Sequence, residues 1–230
     1  LNSGADGIEL DVRLARDGVP VAIHDATLRR TGLKAGAVRD LSSEQLVKVD
    51  VGTWFNRANP KLARNEYREE RIPKLEQVLE LCGNRSALIY VELKSDNQES
   101  ATELARAVAE LIRRFKSQQR VVVVSFDLAA ITAVKAFDSS IRTGALFGST
   151  RAGKQAYRAD SILAATADCG ADQLLLHRFL ARKKLVEKAV QKDLPVVVWT
   201  VDDAQWIQRA RALNVYALIT NNPAGLLAAL

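Results

Sequence analysis

At 230 residues, 48% hydrophobic and 26% charged, the chain is long enough for one large core, near the size at which α/β barrels fold as single domains. It contains no run of 18 apolar residues, so no membrane-spanning helix is expected. The net charge of +6 is dispersed: in residues 64–71 and 182–192 basic side chains alternate with acidic ones, as on a solvated helix face, and no aromatic-interleaved basic patch argues for a nucleic-acid partner.

Apolar, β-branched runs of strand length recur along the chain: Ile8–Val12, Ala87–Leu93, Arg120–Phe126, Thr143–Phe147, Gln173–Leu176, Pro195–Thr200 and Ala217–Thr220. Between them Lys74–Leu81, Ser100–Phe115, Leu128–Phe137, Leu180–Lys192 and Ala204–Leu213 carry apolar residues at i, i+3, i+4 and i+7, the period of amphipathic helices. Alternating strands and helices predict parallel pairing with helical crossovers. With no linker or low-complexity stretch, residues 1–230 read as one domain. Seven strands are one short of a closed (β/α)₈ barrel. Because the chain opens on Leu1 and runs within a few residues into a strand, the expectation is a barrel whose first β/α unit lies upstream, in roughly 20–40 further residues. Such a piece leaves two open edges and is expected to self-associate and to lose most of its activity.

Residues 7–25, GIELDVRLARDGVPVAIHD, interrupt the alternation with a hairpin signal. A two-residue Asp17-Gly18 turn of type I′ sets Arg16 opposite Val19 and, counting back, Asp11 opposite His24 and Glu9 opposite Ala26. Alternation along a strand puts Glu9 and Asp11 on one face, with His24 joining them across the ladder.

Carboxylates inside apolar strands are costly unless paired or bound to a metal. Glu9 and Asp11 occupy one strand; Glu92 occupies another, VELK, with Lys94 two residues on and on the same face. Three such carboxylates near the C-terminal ends of barrel strands point to the face where barrel active sites form. Their hard oxygens suit Mg²⁺ or Ca²⁺ rather than Zn²⁺. His24, one of two histidines, is the acid/base candidate; His177 reads as structural. Phe126 and Trp199 close their strands on the same side, as pocket wall or core. Cys82 and Cys169 form no metal or redox spacing and read as buried small residues, and the lack of a disulfide framework points to a reducing, cytoplasmic compartment.

The stretch GADGIELDVRLARDGVPVAIHDATLRRTG resembles the signature of glycerophosphodiester phosphodiesterases. DLSSEQL, DVGTWF, RIPKLEQVLEL, YVELK, VSF at 124–126, VWTVDD at 198–203 and ALITNNP at 217–223 follow in the family's order. The resemblance implies a TIM barrel with a small hairpin insertion after its second strand. It implies hydrolysis of glycerophosphodiesters such as glycerophosphocholine to glycerol 3-phosphate and an alcohol, with one divalent cation, Mg²⁺ or Ca²⁺. Glu9, Asp11 and Glu92 would be metal ligands, His24 one of two acid/base histidines, Lys94 a phosphate contact, and Phe126 and Trp199 site lining. The partner implied is a small-molecule substrate, with a homo-oligomer possible and neither nucleic acid nor a membrane span expected. Two departures are visible. The strand ending in His-Arg-Gly and the Pro-Glu-Asn helix start are absent from these residues, and Asn221 stands where aspartate is usual. A non-catalytic head-group-binding relative and a phosphodiesterase acting on lysophospholipids are the competing readings.

Overall fold

The computed structural model describes residues 1–83, 86–148 and 158–230. Eight strands form one curled sheet: β1 (Gly7–Leu14), β2 (Pro20–Ala22), β3 (Leu88–Leu93), β4 (Val121–Ser125), β5 (Arg142–Phe147), β6 (Gln173–His177), β7 (Val196–Trp199) and β8 (Ala217–Leu218), in the order β2-β1-β3-β4-β5-β6-β7-β8. Among the described strand pairs only β1–β2 is antiparallel; the others are parallel. Parallel strands need crossovers. These are supplied by α3 (Leu75–Leu81), α4 (Gln98–Arg114), α5 (Leu128–Phe137), α6 (Ala159–Asp168), α7 (Lys183–Val190) and α8 (Gln205–Ala212). Two short helices, α1 (Ser43–Leu46) and α2 (Gly52–Ala58), precede them, and α9 (Pro223–Leu227) follows.

The continuous VVVV run of β4 shows why these strands form. Val121 and Val123 pack outward with Ile89, Val91, Leu104 and Val108 from β3 and α4. Val122 and Val124 point inward to Tyr90, Leu146, Leu175 and Val197. A strand covered on both faces needs apolar residues at every position. A second outer cluster joins β5–β7 to α6–α8 through Leu174, Leu176, Val186, Val198 and Ile207. The arrangement is a (β/α)₈-type barrel with seven parallel staves among the described residues. Between β1 and β8, which do not pair, a cleft of about 550 Å³ is lined by Leu1, Tyr90, Val197, Tyr216, Ile219 and Leu227, among others.

Residues 15–72 form a lobe over the C-terminal end of β1, with its own core of Val21, Ile23, Leu28, Val38, Leu46, Val49 and Ile72. Its hairpin differs from the expected one by a single residue. The observed partners are Leu14↔Pro20, Arg13↔Val21 and Val12↔Ala22. Gly18 N–H donates to the Ala15 carbonyl and Ala15 N–H to the Val19 carbonyl, both at 3.0 Å, and Gly18 has φ 74°. This is a three-residue loop with glycine in the left-handed position, the next most common hairpin connection after the two-residue turn. One extra loop residue shifts every cross-strand partner. Asp11 is therefore not paired with His24; its carbonyl accepts from the Ile23 N–H at 2.9 Å, and the ladder ends at Ala22.

Cys82 and Cys169 are buried and free, as expected. No described helix is long and apolar enough to cross a membrane.

Candidate active site

The register of β1 against β3 builds the centre of the site. Gly7 pairs with Leu88, so Glu9 lies beside Tyr90 and Asp11 beside Glu92. Tyr90 points into the barrel, and alternation along each strand carries Glu9, Asp11, Glu92 and Lys94 to that same inner face. The carboxylates of Glu9, Asp11 and Glu92 converge, offering one oxygen each with all three atoms within 4.8 Å of one another. Cation–oxygen distances of about 2.0–2.6 Å allow two ligand oxygens on opposite sides of one ion to stand up to about 5 Å apart. One hard divalent cation therefore fits the donor set in both spacing and chemistry.

Charge points the same way. Lys94 is 17% exposed and forms ion pairs with Asp11 (3.2 Å) and Glu92, whose side chains are 21% and 11% exposed. Burial works against the lysine's charge, but the hydrogen bond and charge of Glu92, with Asp11, outweigh it and raise its pKa. One ammonium does not balance three carboxylates. Burial raises the pKa of Glu92 even against Lys94. Glu9 is an exposed residue bordering the cleft beside β8; loss of hydration at its carboxyl, then the charges of Asp11 and Glu92, push it up to about 7. With all three carboxylates ionised, as metal ligation requires, one ammonium leaves two negative charges, the complement of a divalent cation.

His24 follows β2 as the chain leaves the ladder. It sits close enough to the cluster for its charge to lower the Glu92 pKa, although not by the cross-strand pairing its spacing suggested. Arg13 fixes its backbone: Nε donates to the His24 carbonyl at 2.8 Å while Nη1 bonds Asp96 at 3.0 Å. The His24 ring is 58% exposed, with Nδ1 2.8 Å from Asp25 Oδ1. The Arg30 guanidinium bonds Asp25 through Nε (2.6 Å) and Nη2 (2.8 Å). The Arg30 hydrogen bonds, aided by His24 and opposed by burial, bring Asp25 down to about 2. The neighbouring His-Asp residues in the sequence carried a signal for this pair; the arginine five residues on did not announce itself.

Phe126 and Trp199 stand together at the C-terminal ends of β4 and β7, ring centroids 5.5 Å apart and edge to face. Lys94 Nζ lies 5.7 Å from the Phe126 ring, which ties this wall to the carboxylate cluster. His177, read as structural, has ring neighbours that its place in the sequence did not indicate. Its ring is 5.0 Å from Trp199 and 5.0 Å from Phe179, and its Nδ1 accepts from the Phe179 N–H. Nothing in the sequence around 177–179 revealed that pairing, because it depends on β6 lying beside β7.

The profile of the Glycerophosphoryl diester phosphodiesterase family matches residues 1–225. The chain belongs to this family. It is 30% identical over 224 residues to a glycerophosphodiester phosphodiesterase of Caldanaerobacter subterraneus subsp. tengcongensis, covering 96% of this chain and 84% of that one. Glycerophosphodiester phosphodiesterase 1 of Bos taurus is 28% identical over 221 residues, 87% of this chain and 64% of the bovine protein. Among solved structures, an Oleispira antarctica phosphodiesterase in complex with the product sn-glycerol-3-phosphate superposes with a TM-score of 0.83 at 22% identity, covering 99% of this chain and 86% of that one. A glycerophosphodiester phosphodiesterase of Agrobacterium tumefaciens gives a TM-score of 0.77 at 24% identity, covering 99% and 88%. The family assignment agrees with the ordered motifs and with the barrel, and it makes this chain an enzyme of the glycerophosphodiester phosphodiesterase type.

Proposed function

We propose that this member of the family hydrolyses glycerophosphodiesters, glycerophosphocholine among them, to glycerol 3-phosphate and an alcohol, using one divalent cation, Mg²⁺ or Ca²⁺. The observation that carries the reading is the convergence of Glu9, Asp11 and Glu92 around a site that, with its carboxylates ionised, is two positive charges short of neutrality, with His24 poised beside it. Glu9, Asp11 and Glu92 would hold the cation. When bound, it would neutralise the phosphoryl oxygens and favour attack at phosphorus.

The remaining work falls to the protein's own groups. Lys94 holds Asp11 and Glu92 in place and presents an ammonium between the carboxylates and the Phe126 ring, where a phosphate oxygen is attracted. His24, with Nδ1 engaged by Asp25, keeps Nε2 for moving a proton to or from the attacking or leaving oxygen. Phe126 and Trp199 wall the pocket and bury the non-reacting part of the substrate. The product held by the Oleispira relative matches this reaction.

The test is turnover of glycerophosphocholine with Mg²⁺ or Ca²⁺ against a chelated control, for the native chain and for His24→Ala and Glu92→Gln. Loss of turnover with chelator and in both variants is expected. Metal-dependent substrate binding without turnover in the native chain would favour a non-catalytic, head-group-binding relative.

A further inference from the structure

The lobe of residues 15–72 contributes His24 and then continues for nearly fifty residues with no other part in the proposed chemistry. Its DVGTWF segment is also unaccounted for. The structure connects the two. Asp50 Oδ1 accepts the N–H groups of Gly52 and Thr53, both at 2.9 Å, and Asp50 Oδ2 accepts from the Thr53 hydroxyl at 2.6 Å, which fixes the start of α2. Gly52 permits the close approach of the 66–69 turn: a Cβ there would lie 1.3 Å from the Tyr67 carbonyl oxygen. On this anchored helix Trp54 meets Phe55 edge-on, and Phe55 meets Tyr67. The Trp54 ring receives the Arg30 guanidinium 4.9 Å from its centroid.

Arg30 in turn spends both arms of its fork on Asp25, Nε on Oδ2 and Nη2 on Oδ1. Asp25 Oδ1 also faces His24 Nδ1. A carboxylate held on both oxygens by a planar guanidinium cannot rotate away from the imidazole. An ionised carboxylate only accepts hydrogen bonds, so the proton between the two must sit on Nδ1, leaving Nε2 as the free basic nitrogen. The other charged groups around His24 are Arg13, bonded to its carbonyl, and Glu92, coupled to it through charge. Neither touches the ring nitrogens in the hydrogen bonds seen among the described residues.

We infer that Arg30, clamped against Trp54, is a positioning residue for His24, acting through the Asp25 carboxylate to fix the tautomer and orientation of the imidazole. The inference deepens the proton-transfer reading of His24 and rests on it. Arg30 makes no hydrogen bond to the carboxylate cluster among the described residues, although the charge of Asp11 reaches it. It belongs to a support chain running from Asp50 through Trp54 and Arg30 to Asp25 and His24, and this chain gives the lobe its role.

The experiment pairs ¹⁵N–¹H correlation spectra of the imidazoles with steady-state kinetics on glycerophosphocholine. The chain has two histidines, so His177→Gln assigns the signals. Native His24 is expected as the Nδ1–H tautomer. Arg30→Gln should give a mixture of tautomers and lower kcat about tenfold to hundredfold, a fraction of what acid/base catalysis supplies, with KM within twofold. Arg30→Lys keeps the charge without the fork and should recover less than half of the lost rate. Trp54→Leu, whose fold is checked by circular dichroism, should show the same change in weaker form. An Arg30→Gln protein with the native tautomer overturns the inference, as does one with a lost tautomer and native kcat. Active His24→Ala would sink the proton-transfer reading instead, and the imidazole signals would still decide whether Arg30 sets the ring.

Discussion

Glu92 is the least exposed of the three converging carboxylates and is held by Lys94, just past the end of the same strand. Glu92→Gln removes a ligand charge from a site that has no substitute for it, so cation affinity should fall at least about tenfold, read by calorimetric titration. The native chain should gain melting temperature as Mg²⁺ or Ca²⁺ is raised, because a ligand that binds only the folded state stabilises it by mass action. Glu92→Gln should gain much less. Glu9 sets a pH dependence whose sign follows from its shift. Its carboxyl rises from an ordinary 4.5 to about 7, so the folded state binds this proton more tightly than the unfolded state does. In the metal-free protein its favourable contribution is complete below pH 4.5 and is lost as pH rises through 7. Denaturant melts in chelator should therefore show stability falling between pH 5 and 8, and Glu9→Gln should flatten that slope. An unchanged slope in the variant would place the titration elsewhere.

At the scale of elements, period was legible and register was not. The strands were read to within a few residues because apolar runs alternate with amphipathic stretches, and the run Val121–Val124 is apolar throughout since both faces are covered. The hairpin was displaced by one residue because Asp-Gly serves two turn types. Gly18 takes the left-handed conformation as the last residue of a three-residue loop, and side-chain period cannot reveal a slip within the turn. Helix α6 escaped notice because its inward stripe is small, Ala165 and Thr166 beside Ile162 and Leu163, and alanine marks a helix face weakly. Helix α2 lacks an amphipathic stripe; what defines it is the anchor at Asp50. Asp50→Ala should cost about 1 kcal/mol as a lost helix cap. Gly52→Ala should cost about 2–3 kcal/mol, since the clash is with backbone oxygen rather than a movable side chain. Urea unfolding of both variants checks the order, and a Gly52→Ala protein as stable as the native one would contradict the close approach.

For the molecule as a whole, the open side matters most. β1 and β8 bound the 550 Å³ cleft without pairing; the free side of β8 and the part of β1 that β2 leaves uncovered, beside apolar lining such as Leu1, Ile219 and Leu227, are templates for association. A chain made of these 230 residues alone should sediment as concentration-dependent oligomers. A single monomeric boundary with one cooperative melt would show that these edges are protected. The cleft also reaches Glu9, so association across this side should alter cation affinity as well as mass, a coupling that titrations at two protein concentrations would expose.

What the sequence determined by itself was whatever local geometry repeats. The two-residue alternation put Glu9 with Asp11, and Glu92 with Lys94, on common faces, and the ordered motifs pointed to the family. Only the tertiary structure brought Asp11 beside Glu92, because that contact depends on the β1–β3 register across some eighty residues of chain. It likewise joined His177 to Trp199 and set Trp54 beneath Arg30, the support that holds Asp25 against His24. Covalent geometry fixes which side chains share a face. Which faces meet is decided by how the sheet curls and what the lobe buries, and that information is spread over the whole chain rather than written in any one segment.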